Sequence, residues 1–466
     1  MPVIFITDAF IFLLVVMVIA FVLYARRHEH LSAPWRDVAK RPLAMSAAVI
    51  LSVYIFIGLL DSLHFHPKLE ATDTNDAVYS TEISSVLDVM LSDLRLATER
   101  TYSAPLASHA FAKEMLELDD GSQLRDYPRL KYGGAHLDDP AAERCTDIAK
   151  RSLIGFFAGM LISLFISFLL ITYLSRIYQV NFKIALQRCW YNHFSVPWHA
   201  ILLTISSLII VASIIYSLSM YYHVFGTDKV GQDVLYQALK SIRTGLVIGT
   251  LTTLVMLPFA IMTGLMAGYF RGWIDDVIQY LYTTLNSIPG VLLIAASILL
   301  LQVYIGKHEA DFTSIEQRAD LRLLFLCIIL GITSWTGLCR LLRAETLKLR
   351  EVDYVQAAQA FGVGHLSIML RHLLPNVMHI VMISIVLDFS GLVLAEAVLS
   401  YINIGVDPSM YSWGNMINSA RLEMAREPIV WWSLAAAFVF MFVLVLAANL
   451  FSDAVRDAFD PRLRNS

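Results

Sequence analysis

The chain has 466 residues, of which 57% are hydrophobic and 16% charged, against about 45–50% apolar and about 25% charged residues in an ordinary soluble domain. Lipid is therefore its main solvent, and a formal net charge of −4 is too weak to suit a nucleic-acid partner. What matters is how the charge divides between loops.

A helix needs roughly 20 mostly apolar residues to cross a bilayer, because an unpaired backbone N–H or C=O in hydrocarbon costs several kcal/mol. Nine segments meet that requirement: 3–24, 42–65, 153–174, 200–221, 245–270, 277–304, 321–341, 377–401 and 429–451. The first has no basic start, is too long for a secretory h-region and is followed by Arg26 and Arg27, so it reads as a retained anchor. Residues 1–9 carry no Lys or Arg, whereas Arg26, Arg27, Arg36, Lys40 and Arg41 follow the first span. The positive-inside rule then predicts an N-terminus outside and a C-terminus in the cytoplasm. The later inward loops agree, with Arg176, Lys183 and Arg188, then Arg340, Arg343, Lys348, Arg350 and Arg371, and finally Arg456, Arg462 and Arg464.

Between the second and third spans the composition turns soluble. Residues 66–150 hold 16 Asp/Glu against 9 Lys/Arg, a net of −7, and form a small extracytoplasmic domain on this topology. Ile83, Val86, Leu87, Met90, Leu94 and Ala97 recur at helical spacing and predict an amphipathic helix. The part with Gly121, Pro128, Gly133, Gly134 and Pro140 reads as turn-rich. His64 and His66 have no third ligand near in sequence and read as interface histidines, and the scattered Cys145, Cys189, Cys327 and Cys339 suggest neither a disulfide framework nor a metal site.

The longest inward loop follows the seventh span, from 342 to about 376. Residues 352–361 (VDYVQAAQAF) have good helix formers, Gly362 and Gly364 make a break, and 365–374 (HLSIMLRHLL) predict a second short helix stopped before Pro375. Small side chains at Ala357 and Ala358 would let another protein approach this cytoplasmic projection closely. Within the spans, Pro289 predicts a kink. Asp388 lies near the middle of the eighth, where a charge costs at least about 2.5–3.5 kcal/mol; it reads either as a carboxylate lining a path or as an interhelical contact. Glu396, nearer the outer end, reads as structural. Asp228 and Asp233 in an outward loop read as either partner contacts or helix caps.

The segment QAAQAFGVGHLSIMLRHLLPN at 356–376 resembles the EAA signature of ABC-importer membrane subunits. The match falls on Ala357, Ala358, Gly362, Leu374 and Pro375, and departs at Gln356, where the family usually has Glu: Gln keeps the length and hydrogen bonding and loses the charge. GTDKVGQDV (226–234), AGYFRGWIDD (267–276), SIPG (287–290), LAEAVLSYINIGV (394–406), SWGNM (412–416) and VRDAFDPR (455–462) are similar to segments of the C-type permease of dipeptide and oligopeptide importers, in that family's order. KRPLAMSAAVILSVYIFIGLL (40–60) is similar to its first helix.

The resemblance implies an all-α polytopic membrane protein of about nine transmembrane helices: a type I ABC-importer permease core carrying a small inserted extracytoplasmic domain. The expected parts are an extra N-terminal helix and loop (1–35), a family-like first helix (36–65), the inserted acidic domain (66–150), two additional helices (151–225) and the core (226–466) with coupling helices at 351–376. It also implies a non-catalytic subunit in a bacterial inner membrane, importing di- or oligopeptides, with nickel complexes or polyamines as other solutes. Its partners would be a homologous second permease, two ABC ATPase subunits that use the ATP, and an extracytoplasmic solute-binding protein. The chain has no GxxxxGK[ST] phosphate loop, so no cofactor is expected here and the energy must come from the partners. The competing classes are a transmembrane sensor, weakened by short inward loops, and an ion-coupled secondary transporter, in which Asp388 and Pro289 would have a use but the 356–375 projection would have none.

Overall fold

The structure, a computed structural model, describes residues 1–68, 79–117, 123–191, 194–308, 312 and 314–459. Among the described residues nine helices are long and apolar enough to cross a membrane: Ile6–Arg26, Pro42–Asp61, Pro140–Ile177, Trp198–Ser219, Val234–Phe270, Gly290–Lys307, Ile315–Leu349, His365–Tyr401 and Trp432–Phe459. Helix is the solution because it pairs every backbone group inside its own segment. Several of these helices outrun the bilayer. Pro140–Ile177 has 38 residues, about 57 Å at 1.5 Å per residue, against a hydrocarbon core of about 30 Å. It starts where Asp139 accepts from the Ala141 and Ala142 N–H groups and Pro140 stands in the first turn. The expected boundary at 150 therefore falls inside one continuous helix.

The chain divides into two compact units. The first comprises Met1–Val3, Arg36–Thr244 and Tyr411–Ala447. In it, Pro140–Ile177 and Trp198–Ser219 form a tight hairpin. A Cβ on Gly155 would lie 2.7 Å from Ile214 Cα, and one on Gly159 2.8 Å from Ile210 Cα, so small residues are what let the two backbones meet. Thr204 Oγ1 donates to Ser46 Oγ at 2.9 Å, which ties the hairpin to Pro42–Asp61.

The stretch between the second and third spans is less regular than its spacing predicts. In place of one helix over 83–97 there are a strand Ser84–Ser85 and two five-residue helices, Val86–Met90 and Ser92–Leu96. Ser85 and Asp88 form a capping box that starts the chain afresh at Val86, and Leu91 leaves helical geometry with φ −104° and ψ 22°. Leu94 packs on Leu235 and Tyr236, while Val89, Met90 and Leu96 stay exposed. Pro2–Val3, His64–Phe65 and Ser84–Ser85 pair antiparallel, as do Glu114–Glu117 and Gln123–Asp126. The all-helical expectation is thus modified by a few short strands. Gly121 lies outside the described residues. Lys240 makes ion pairs with Asp61 at 2.5 Å and Asp88 at 2.9 Å, and Tyr236 donates to Asp88 at 2.7 Å.

The second unit comprises Ile4–Trp35, Gly245–Met410 and Ala448–Ser466. The expected sixth span is two helices, Gly272–Ser287 and Gly290–Lys307, with Pro289 as the N-cap of the second. Pro289 therefore breaks the chain rather than kinking a helix: it has no N–H to continue the ladder, and it holds Ile288 extended. The N-terminal helix is held at its start by Thr7, whose backbone N–H donates to Asp320 Oδ2 at 3.2 Å and whose hydroxyl donates to Oδ1. Trp35 on the next helix, Glu29–Val38, packs against Phe451 and Phe459. Gly264 and Gly268 bring Val234–Phe270 against the helix Thr336–Leu349, where a Cβ would meet Leu342 Cβ at 2.7 Å and Thr346 Cβ at 2.5 Å.

Candidate coupling site

The projection foreseen around Gln356 lies wholly in the second unit. Helix Asp353–Ala360 ends at Phe361, and Gly362 turns the chain with φ +75°. Val363 N–H donates to Ala358 O at 3.1 Å and Gly362 N–H to Gln359 O at 3.0 Å. These are the two bonds of a Schellman motif, whose left-handed residue glycine adopts without a Cβ penalty. The chain resumes as helix His365–Ile368, passes through a π-helical turn Met369–Leu373, and continues as Leu374–Tyr401. Pro375 does not stop this helix, contrary to expectation. The wide turn just before it shifts the hydrogen-bond ladder, so the missing proline N–H and the ring are accommodated.

The element has two faces. Val355, Ile368, Leu373 and Val377 are fully buried in a cluster with Tyr269, Leu338 and Leu342. Opposite them Phe361 is 88% exposed, with Leu366 and Leu370 also exposed. Polar contacts fix the turn. Tyr269 Oη is 2.9 Å from His365 Nδ1, Arg350 donates to Tyr269 O at 2.7 Å, and Asn376 donates to Tyr354 Oη at 3.0 Å and to His372 O at 2.6 Å. A cavity of about 380 Å³ beside the turn is lined by Tyr269, Phe270, Arg350, Gln359, Val363 and His365, among others. Behind it Arg343 grips Asp275 through Nε at 2.6 Å and Nη2 at 2.7 Å. That guanidinium holds the Asp275 carboxyl below its ordinary range, against the upward push of burial.

Of the residues singled out beforehand, Gln356, Ala357 and Pro375 are exposed, Ala358 and Leu374 are half-buried with their apolar sides on the cluster, and Gly362 makes the turn. Gln356 Nε2 donates to Glu351 O at 3.2 Å, and the nearby ion pair is Arg271 with Glu351 at 2.6 Å. Sequence reasoning passed over Phe361, the most exposed apolar side chain of the element. Its signal was a large aromatic immediately before a Gly-x-Gly break.

Asp388 is half-buried on Leu374–Tyr401 and makes no hydrogen bond or ion pair among the described residues. Glu396 is buried and accepts from Ser400 Oγ at 2.7 Å. In the first unit Asp233 is buried: its Oδ1 accepts from the Leu235 and Tyr236 N–H groups, capping Val234–Phe270, and its Oδ2 accepts from His223 Nδ1 at 2.7 Å. It is therefore a cap, not part of a partner surface. Asp228 is half-buried and accepts from the Val230 and Gln232 N–H groups and from Gln237.

His223 also lies 3.5 Å from Glu99 Oε1, and Glu99 accepts from the N–H groups of Lys131, Tyr132 and Gly133. Burial pulls His223 down, but Asp233 and Glu99 outweigh it and hold the imidazolium to about 9. Burial pushes Glu99 up, but His223 and the three N–H groups bring it to about 2. Among the described residues no three potential metal ligands cluster.

A family model described as "Binding-protein-dependent transport system inner membrane component" matches residues 260–465. The glutathione transport system permease protein GsiD of Pectobacterium atrosepticum is 30% identical over 245 residues, which are 52% of this chain and 74% of that protein. The oligopeptide transport system permease protein OppC of Mycobacterium tuberculosis is 30% identical over 243 residues, 52% of this chain and 77% of that one. Among solved structures, a chain of the MetNI methionine ABC transporter in inward-facing conformations covers 46% of this chain and 93% of its own length, with TM-score 0.31 and 16% identity, too distant a likeness to place any element. From the matched family and the extent of these relatives, the chain belongs to the binding-protein-dependent inner-membrane components of ABC importers, as a multi-pass, non-catalytic permease subunit that works with ATPase and binding-protein partners.

Proposed function

We propose that this permease passes short peptides across a bacterial inner membrane by alternating access. It does so as one of two homologous membrane subunits driven by two ATPase subunits and fed by a solute-binding protein. The peptide assignment rests on relatives named as glutathione, dipeptide and oligopeptide permeases. The N-terminus lies outside and the C-terminus in the cytoplasm, as the loop charges require.

The observation that carries the mechanism is the two-faced element at 353–376. Its buried side is a packed, hydrogen-bonded foundation, and its free side offers Phe361, Leu366 and Leu370. A rigid knob with an apolar tip can transmit a push from an ATPase groove into Leu374–Tyr401, because that helix continues from the knob without a stop. ATP is bound and hydrolysed by the partners. Asp388, on the same continuous helix, faces the cationic amino terminus of a passing peptide. Of the two outer-loop aspartates, Asp228 is the one left for the binding protein.

Phe361→Ala tests the reading. Phe361 is exposed, so the substitution should leave insertion and folding within about 0.5 kcal/mol of wild type. As the aromatic centre of an interface it should weaken ATPase retention by about 30-fold, the equivalent of about 2 kcal/mol, in co-purification from membranes. Retention equal to wild type would refute the docking role.

A further inference from the structure

The two helices that precede the family core are joined by a short helix, Phe182–Trp190, packed against both. Ala185 and Cys189, one turn apart, are buried on that hairpin. The rest of its surface is unlike an ordinary solvated loop. Trp190 is 75% exposed and Tyr191 65%, and Ile184, Leu186 and Tyr178, on the helix or just before it, are exposed as well. Arg176, Lys183 and Arg188, on this helix or just before it, are exposed and make no ion pair among the described residues. From residue 148 to 227 the chain contains no Asp or Glu.

Geometry and charge agree on what meets this surface. Pro140–Ile177 and Trp198–Ser219 are both membrane-crossing helices, and Phe182–Trp190 begins a few residues after one and ends a few before the other, which places it at the bilayer surface. Tryptophan and tyrosine favour that layer because their rings are apolar and their polar edges can stay wet. Three basic groups with no acidic residue nearby are complementary to a negative headgroup layer, to which each Lys or Arg adds attraction. The apolar arc of the helix continues from Phe182 and the protein-facing Ala185 and Cys189 to the exposed Leu186 and Trp190, while Lys183, Gln187 and Arg188 lie on the other side with a single apolar residue, Ile184, among them.

We propose that Phe182–Trp190 lies in the membrane–water interface and holds anionic phospholipid headgroups through Arg176, Lys183 and Arg188, with Trp190 and Tyr191 seated at headgroup level. Pro140–Ile177 and Trp198–Ser219, two of the helices that precede the family-matched region, thereby acquire a role: they anchor a lipid-binding foot beside the transporter. A protein partner on this face would need an acidic surface and would cover rings that already have an apolar environment in lipid.

The test uses the full-length chain in detergent, titrated with phosphatidylglycerol or phosphatidylcholine, with bound lipid counted by native mass spectrometry. Each basic residue near a charged bilayer surface is worth about a fivefold gain in binding. Replacing all three, as R176Q/K183Q/R188Q, should therefore weaken phosphatidylglycerol binding on the order of a hundredfold while leaving phosphatidylcholine binding unchanged. Raising the ionic strength should erase most of the wild-type preference. Lys183→Gln alone, at an exposed site, should lose about fivefold and keeps the test open if the triple variant fails to insert. Undiminished phosphatidylglycerol binding by these variants would overturn the proposal. So would an equal loss of both lipids, displacement of phosphatidylglycerol by inorganic phosphate, or a wild-type preference that survives high salt.

Discussion

Replacing His223 by Gln should loosen the region around residues 99–133, and the size of the effect follows from its surroundings. His223 is only 3% exposed and stands between Asp233 at 2.7 Å and Glu99 at 3.5 Å. Removing the imidazolium leaves two buried carboxylates without their cation, a loss of about 3–5 kcal/mol. The same group makes the wild type pH-dependent. Its folded-state value of about 9 lies above the ordinary histidine value of 6.5, so its contribution is complete below 6.5 and disappears as the pH rises through 9. At 1.36 kcal/mol per unit, the contribution is about 3 kcal/mol. Glu99 works in the opposite sense: lowered from 4.5 to about 2, it contributes fully above 4.5 and is lost as the pH falls through 2. Stability of this region should therefore be flat between about 4.5 and 6.5 and fall on both sides. The readout is hydrogen exchange of the amides of Lys131, Tyr132 and Gly133, all bonded to Glu99. After correction for intrinsic exchange, protection in the wild type should fall by about two orders of magnitude between pH 6.5 and 9.5. In His223→Gln it should be low already at pH 6.5 and insensitive above it. Wild-type protection that stays constant to pH 9.5 would refute the charged triad.

Other substitutions probe the packing. Gly159→Leu would force a side chain into Ile210 and Ser213, whose atoms already stand 2.8 and 3.0 Å from an ideal Cβ. It should cost about 1–3 kcal/mol and lower the thermal midpoint in detergent, whereas Gly290→Ala, with nothing within 4 Å, should not. Gly362→Ala also meets open space but needs φ +75°. It should cost about 1 kcal/mol, seen as roughly fivefold faster exchange at the amides of Gly362 and Val363 with the spans unaffected.

Much of the two-faced element at 353–376 was legible in advance because its determinants are local. Gly362 after a run of helix formers specifies a left-handed cap through sterics alone, and the Schellman bonds need only neighbours along the chain. The knob's polarity was not legible. Val355 and Phe361 are both apolar and belong to one short segment, yet one is fully buried and the other 88% exposed, because Tyr269 and Leu342, distant in sequence, cover only one side. The Arg343–Asp275 pair, 68 residues apart, was hidden for the same reason. Asp233 carries two readings in the sequence, partner contact or helix cap, and the cap geometry depends on His223 and on the start of Val234–Phe270 meeting it in space.

By itself the amino-acid sequence determined the solvent, the nine segments apolar enough to cross a bilayer and the turn at Gly362. Apolar length, loop charge and the φ preferences of glycine and proline are properties of short stretches and survive without a partner in space. Only the tertiary structure decided that Pro375 lies within a continuing helix, that the stripe from Ile83 to Ala97 breaks at Leu91, and that Glu99 and Asp233 share one buried imidazolium. Each of those outcomes depends on a hydrogen-bond ladder shifted by its context or on a charge supplied from far along the chain, and a periodic pattern carries neither.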